Sequence, residues 1–127
     1  MIKKDYLLRQ LSTLLQAIVD KYTLVPTKDT QFENEVDEGF FEKYLLQKKL
    51  FFLNNNSEKI LEHFNNIDPT QTQARLEILA ELFYQEIVQT NNKKHLLKAI
   101  EIMELLIDNS KIFDFEKQHK LQYLKSL

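Results

Sequence analysis

Few side chains in this 127-residue chain could do chemistry, and their spacing offers little for a reaction to use. Asp29, Glu33 and Asp37 recur at helical i, i+4 spacing, with Glu35, Glu38 and Glu42 nearby. Grouped carboxylates are what a hard divalent ion requires, yet the spacing matches no EF-hand loop. No Glu-x-x-His pair accompanies them, as it would in a di-iron bundle. A solvated acidic face is the expectation. His63, His95 and His119 are the three histidines, each alone in its own segment. None is paired at i, i+4 with a second ligand, and His63 and His119 read as surface residues. Cysteine is absent, which removes thiol nucleophiles, Cys-bound zinc and iron–sulfur clusters. The single glycine, Gly39, cannot make a phosphate-cradling loop or a nucleophile elbow. The sequence therefore predicts no enzyme, no metal and no cofactor.

Two other sets of residues bear on binding. Lys93, Lys94, His95 and Lys98 form one basic patch, and Lys111, Lys117, Lys120 and Lys125 form another. Convergent lysines would suit an acidic partner or nucleic acid. Glu101, Glu104, Asp108, Asp114 and Glu116 are interspersed among them, so solvated faces are the simpler expectation. Arg9 and Arg75 are the only arginines among 17 basic residues. Bidentate phosphate and guanine recognition leans on arginine, which argues further against nucleic acid. The second set is aromatic: Phe40, Phe41, Tyr44, Phe51 and Phe52. Phenylalanine usually lies inside a fold, but aromatic residues also dominate interface hot spots. These five are candidates both for core and for a partner or self-association surface.

The elements that must position these residues are helical. Leu7, Leu8, Leu11, Leu14, Leu15, Ile18, Val19 and Tyr22 follow the 3-4 recurrence of one helical face, predicting a helix over 5–22. Pro26 and the polar residues after it close that segment. Residues 31–54 read as a second helical segment, acidic first and densely apolar later, with Gly39 as a place where it could split. Lys48-Lys49 would be its exposed stripe, stems lying over apolar surface. A short helix over 57–65 follows the asparagine-rich turn. Asp68-Pro69 then supplies an N-cap and a proline at the first helical position, opening a helix over 69–90. Asn91-Asn92 turns the chain into a helix over 93–108, and a last helix spans 114–126. Leu76, Leu79, Ala80, Phe83 and Ile87 should face inward from the fourth helix. Leu96, Leu97, Ile100, Met103, Leu106 and Ile107 should do so from the fifth, and Leu121, Leu124 and Tyr123 from the last.

Composition agrees with this. Hydrophobic residues make up 43% and charged residues 28%, an ordinary globular balance. One glycine and two prolines are too few for the many tight turns of a sandwich or barrel. The net charge of −2 gives no general attraction to nucleic acid or anionic lipid. No signal-peptide core and no run of about 18 apolar residues is present, so a soluble cytoplasmic protein without membrane contact is expected. The expectation is one all-α domain, 1–127, of about six helices in consecutive antiparallel pairs.

Two resemblances follow from particular residues. Leu76, Leu79, Ala80 and Phe83, with Ala99, Met103 and Leu106, resemble the two helices of a tetratricopeptide unit. Ala80 and Ala99 are 19 positions apart, against about 12 in the standard 34-residue repeat, and no second copy appears. The two ends, Met1-Ile2-Lys3-Lys4-Asp5-Tyr6-Leu7-Leu8-Arg9-Gln10 and Ser110-Lys111-Ile112-Phe113-Asp114-Phe115-Glu116-Lys117, resemble those of a family of small bacterial proteins of unknown function. In that family an N-terminal helix precedes a tetratricopeptide-like bundle. The resemblance implies a bacterial cytoplasmic origin and brings no activity. The functional expectation is a non-catalytic scaffold or adaptor that meets an unidentified protein partner or forms a homodimer. A nucleic-acid-associated protein using the C-terminal lysines is the alternative, and a metal-binding or enzymatic helical protein a lesser one.

Overall fold

The computed structural model describes residues 41–90, 93–110 and 113–127. The expected helix over 5–22, the split at Gly39, the carboxylates Asp29, Glu33 and Asp37, the Asn91-Asn92 turn, Lys111 and the aromatic Phe40 lie outside the described residues. Within them the protein is all-α, and no strand occurs. Residues 41–45 are helical. Then come α1 (Lys49–Asn54), α2 (Ser57–Ile67), a 3-10 turn (Pro69–Gln71), α3 (Thr72–Thr90), α4 (Leu96–Asn109) and α5 (Phe115–Ser126).

Side-chain caps explain most of these boundaries. Asn56 Oδ1 accepts from the Lys59 backbone N–H at 3.0 Å, satisfying a donor that the first turn of α2 leaves free. Asp68 Oδ1 accepts from the N–H of Thr70 at 3.0 Å and from its hydroxyl at 2.7 Å, with Pro69 following at the position where a missing N–H costs nothing. Asp114 Oδ1 accepts from the Glu116 N–H at 2.9 Å and opens α5. The start of α3 is also tied to α2, because the buried Thr72 hydroxyl donates to Asn65 Oδ1 at 2.6 Å.

One boundary departs from expectation. The apolar stretch is not a continuous helix through residue 54. It breaks at Leu46, whose φ of 57° is left-handed, and resumes at Lys49 after extended Lys48. Neither glycine nor proline marks the place. The break leaves the Leu45 carbonyl without a helical donor, and His63 Nε2 lies 2.9 Å from it. A carbonyl only accepts, so Nε2 carries the proton in this contact.

The core is built around α3. Leu76, Leu79, Ala80, Phe83 and Ile87 are buried, and so are Ile78 and Leu82 on another side of the same helix. α4 supplies Ala99, Ile102, Met103 and Leu106, α2 supplies Ile60 and Phe64, and α5 supplies Leu121 and Leu124. Both alanines are buried, as close approach of α3 and α4 requires. These two helices run antiparallel: Gln73 Nε2 donates to the Leu106 carbonyl and Asn109 Nδ2 to Gln73 Oε1 at one end, while Glu86 meets His95 at the other. On the inward face of α4, Met103 and Leu106 are buried as expected, and Leu96, Ile100 and Ile107 are partly buried against the core, but Leu97 is 83% exposed and Ile102 is buried in addition. Tyr123, also expected to face inward, is 41% exposed.

Candidate functional site

Two polar seams on α3 hold most of the charged chemistry in the described residues. On the first, Glu77 and Glu81 stand one helical turn apart and face α5. Lys117 Nζ lies 3.0 Å from Glu77 Oε1 and 2.6 Å from Asp114 Oδ2. Lys120 Nζ lies 2.8 Å from Glu81 Oε2 and 3.5 Å from Glu116 Oε1. Sequence numbers rise together across these pairs, so α5 runs parallel to α3. Gln85 Nε2 donates to the other oxygen of Glu81 at 2.7 Å, and Lys120 Nζ sits 5.0 Å from the Tyr84 ring centre. Between the seam and α4 lies a cleft of about 190 Å³, with Ala80, Met103 and Leu106 as its apolar part.

The electrostatics of this seam favour the paired state. Burial by itself would lower the Lys120 pKa, but the hydrogen bond and charge of Glu81 more than offset it, leaving the group above its ordinary value. Lys117 behaves the same way, with burial opposed by Asp114 and Glu77. Asp114 is held below the usual carboxylate value by its hydrogen bond from Lys117. Tyr84 is raised, first by burial.

The second seam is centred on Glu86, whose side chain is 8% exposed. Its Oε2 accepts from Lys49 Nζ at 2.7 Å and its Oε1 lies 3.0 Å from His95 Nδ1. One carboxylate thus joins α1, α3 and the residue before α4. Nearby, Lys98 Nζ donates to the Asn55 carbonyl at 2.9 Å and to Glu101 Oε2 at 2.8 Å, while Ser57 donates to Glu101 Oε1. These contacts fasten the α1–α2 turn to α4.

The aromatic candidates divide by burial. Phe41 and Phe52 have essentially no exposed surface, their rings 5.7 Å apart. Phe83 meets Phe41 edge-on at 5.8 Å. Phe41 and Phe52 are core residues. Tyr44 and Phe51 are half-buried against that cluster. Of the two histidines expected at the surface, His63 and His119, only His119 is exposed. His63 packs within 6.0 Å of the Phe51, Phe52 and Phe64 ring centres, and His95 is largely enclosed beside Glu86. Lys49 is also not an exposed stripe residue, being paired and lying 5.8 Å from the Phe83 ring centre.

A feature the sequence did not single out is at the head of α5. Phe113 and Phe115 are 66% and 80% exposed and touch edge-to-face at 4.7 Å between centres. Two phenylalanines flanking the cap Asp114 were the available signal. Among the described residues no group of three or more His, Cys, Asp or Glu is placed to hold a metal ion. No described helix is long and apolar enough to cross a membrane.

The class these features define is an all-α helical protein whose charged side chains join one helix to another. Comparison with known family models, curated proteins and solved structures gives no match. The tetratricopeptide likeness and the bacterial origin implied by the two ends gain no support from it.

Proposed function

We propose that the chain is a non-catalytic helical scaffold acting through contact with another protein. The observation that supports this is the exposed Phe113–Phe115 pair. Two large aromatic rings held against each other in water are costly to leave exposed and give rigid contact area with few torsions to freeze. The lysines of the same helix favour this reading over nucleic-acid binding, because Lys117 and Lys120 are spent on Glu77 and Glu81. Replacing Phe115 with a photo-crosslinking phenylalanine analogue, in cells that make the protein, tests the proposal. A discrete adduct that disappears when Phe113 is changed to Ser supports a defined partner, either another protein or a second copy of the chain. Only diffuse background adducts would remove the reading.

A further inference from the structure

α5 is attached in an unusual way for a helix of a bundle. Only Leu121 and Leu124 of its 12 residues are buried. Leu121 keeps 9% of its surface exposed, and Tyr123 meets Tyr84 only edge-on at 6.2 Å. The apolar grip is therefore short and lies in the second half of the helix. The first half is held by charge, Lys117 on Glu77 and Lys120 on Glu81, and near the end of the helix Lys125 adds a looser pair with Glu104 at 3.8 Å. Beneath that first half is the cleft whose apolar part is Ala80, Met103 and Leu106, where neither Phe113 nor Phe115 inserts.

A segment with few buried apolar contacts and much of its attachment in ion pairs occupies the low end of a protein's local stability. Most of the core lies outside it: of the 18 buried residues in the cluster, α5 contributes only Leu121 and Leu124, while α2, α3 and α4 supply residues such as Phe64, Leu79, Phe83 and Ile102. We propose that α5 is an electrostatically latched strap, which lifts from α3 and α4 as one unit while α2 to α4 remain folded. Lifting exposes an apolar seat rimmed by Glu77, Glu81 and Glu104. The device is independent of whether a partner grips the head of the helix.

Native-state hydrogen exchange on the full chain tests this. The amides of residues 119–126 should exchange together, through an opening at least about tenfold more frequent than that of the amides of Phe83 and Met103, since breaking one charge-assisted hydrogen bond shifts an equilibrium by about that factor. Raising NaCl from about 50 mM to about 1 M should increase α5 opening and leave the other helices unchanged, the partial burial of the pairs limiting the effect. Lys120→Gln should reproduce the increase at low salt. If that variant loses helical circular dichroism throughout, the salt series on the unaltered chain decides. The proposal is overturned if α5 amides exchange only with global unfolding, or fray one residue at a time from the end.

Discussion

Glu86 shows how a single residue organises its surroundings. A carboxylate this enclosed is retained only if its charge is answered, and Lys49 and His95 answer it from two other parts of the chain. Glu86→Ala should therefore cost about 2–3 kcal/mol in urea unfolding, because it leaves the Lys49 ammonium enclosed without this partner. The exposed pair Lys59–Glu62, at 4.0 Å, should be worth no more than a few tenths of a kcal/mol by the same measurement. Leu46 gives a prediction of opposite sign. Its left-handed backbone crowds Cβ against the following carbonyl, a strain of about 1 kcal/mol that glycine lacks. Its side chain is half-exposed and contributes little packing. Leu46→Gly should raise the urea midpoint, an uncommon result for a glycine substitution. If it lowers the midpoint, the exposed leucine is contributing contacts that outweigh the strain.

At the scale of elements, the sequence was legible where local chemistry and periodicity agree. Asn56, Asp68-Pro69 and Asp114 are caps that any helix at those positions would use, so the starts of α2, α3 and α5 follow from residue type. Ala80 and Ala99 foretold the close α3–α4 pair because only small side chains permit it. The break at Leu46 was not legible, since a leucine in the left-handed region is set by tertiary contacts rather than by local preference. The exposure of Leu97 was not legible for a related reason: Leu96, Leu97, Ala99, Ile100, Ile102 and Met103 place apolar residues nearly all round α4. The partner helix then selects which of them is buried. The charged seams could not be read either, because Glu81–Lys120 and Lys49–Glu86 join residues 39 and 37 positions apart. Seam chemistry makes α5 sensitive to alkali. Lys117, Lys120 and Tyr84 all hold protons more tightly when folded, so their contribution is complete below their unfolded values of about 10 to 10.5. It is lost as pH rises through the higher folded values. The groups facing them are Glu77, Asp114, Glu81, Glu116 and Tyr123, with Lys125 facing Glu104. Tyrosine absorbance and exchange, followed together above pH 10, should show α5 loosening before α3 and α4 melt.

For the whole molecule, the division of phenylalanines between inside and outside separates stability from function. Phe41, Phe52, Phe64 and Phe83 lock together the residues before α1, α1 itself, α2 and α3. Each ring is enclosed, so truncation leaves a cavity that neighbours on four different elements cannot all collapse to fill. Phe52→Ala should destabilise the protein by about 3–5 kcal/mol. Phe113 and Phe115 are equally large, but water already reaches most of their surface. Their removal forfeits little burial, and Phe115→Ser should alter stability by no more than about 0.5 kcal/mol. The two substitutions therefore make opposite predictions for one pair of measurements. Phe52→Ala should shift the thermal midpoint strongly, and any loss of partner crosslinking through a probe at Phe113 should track the fraction unfolded. Phe115→Ser should leave the midpoint in place and remove that crosslink from a fully folded chain. If Phe115→Ser instead unfolds the protein, the pair belongs to the fold, and the contact surface must be sought among Leu46, Leu50 and Leu97, the other large apolar side chains that stand most open to water.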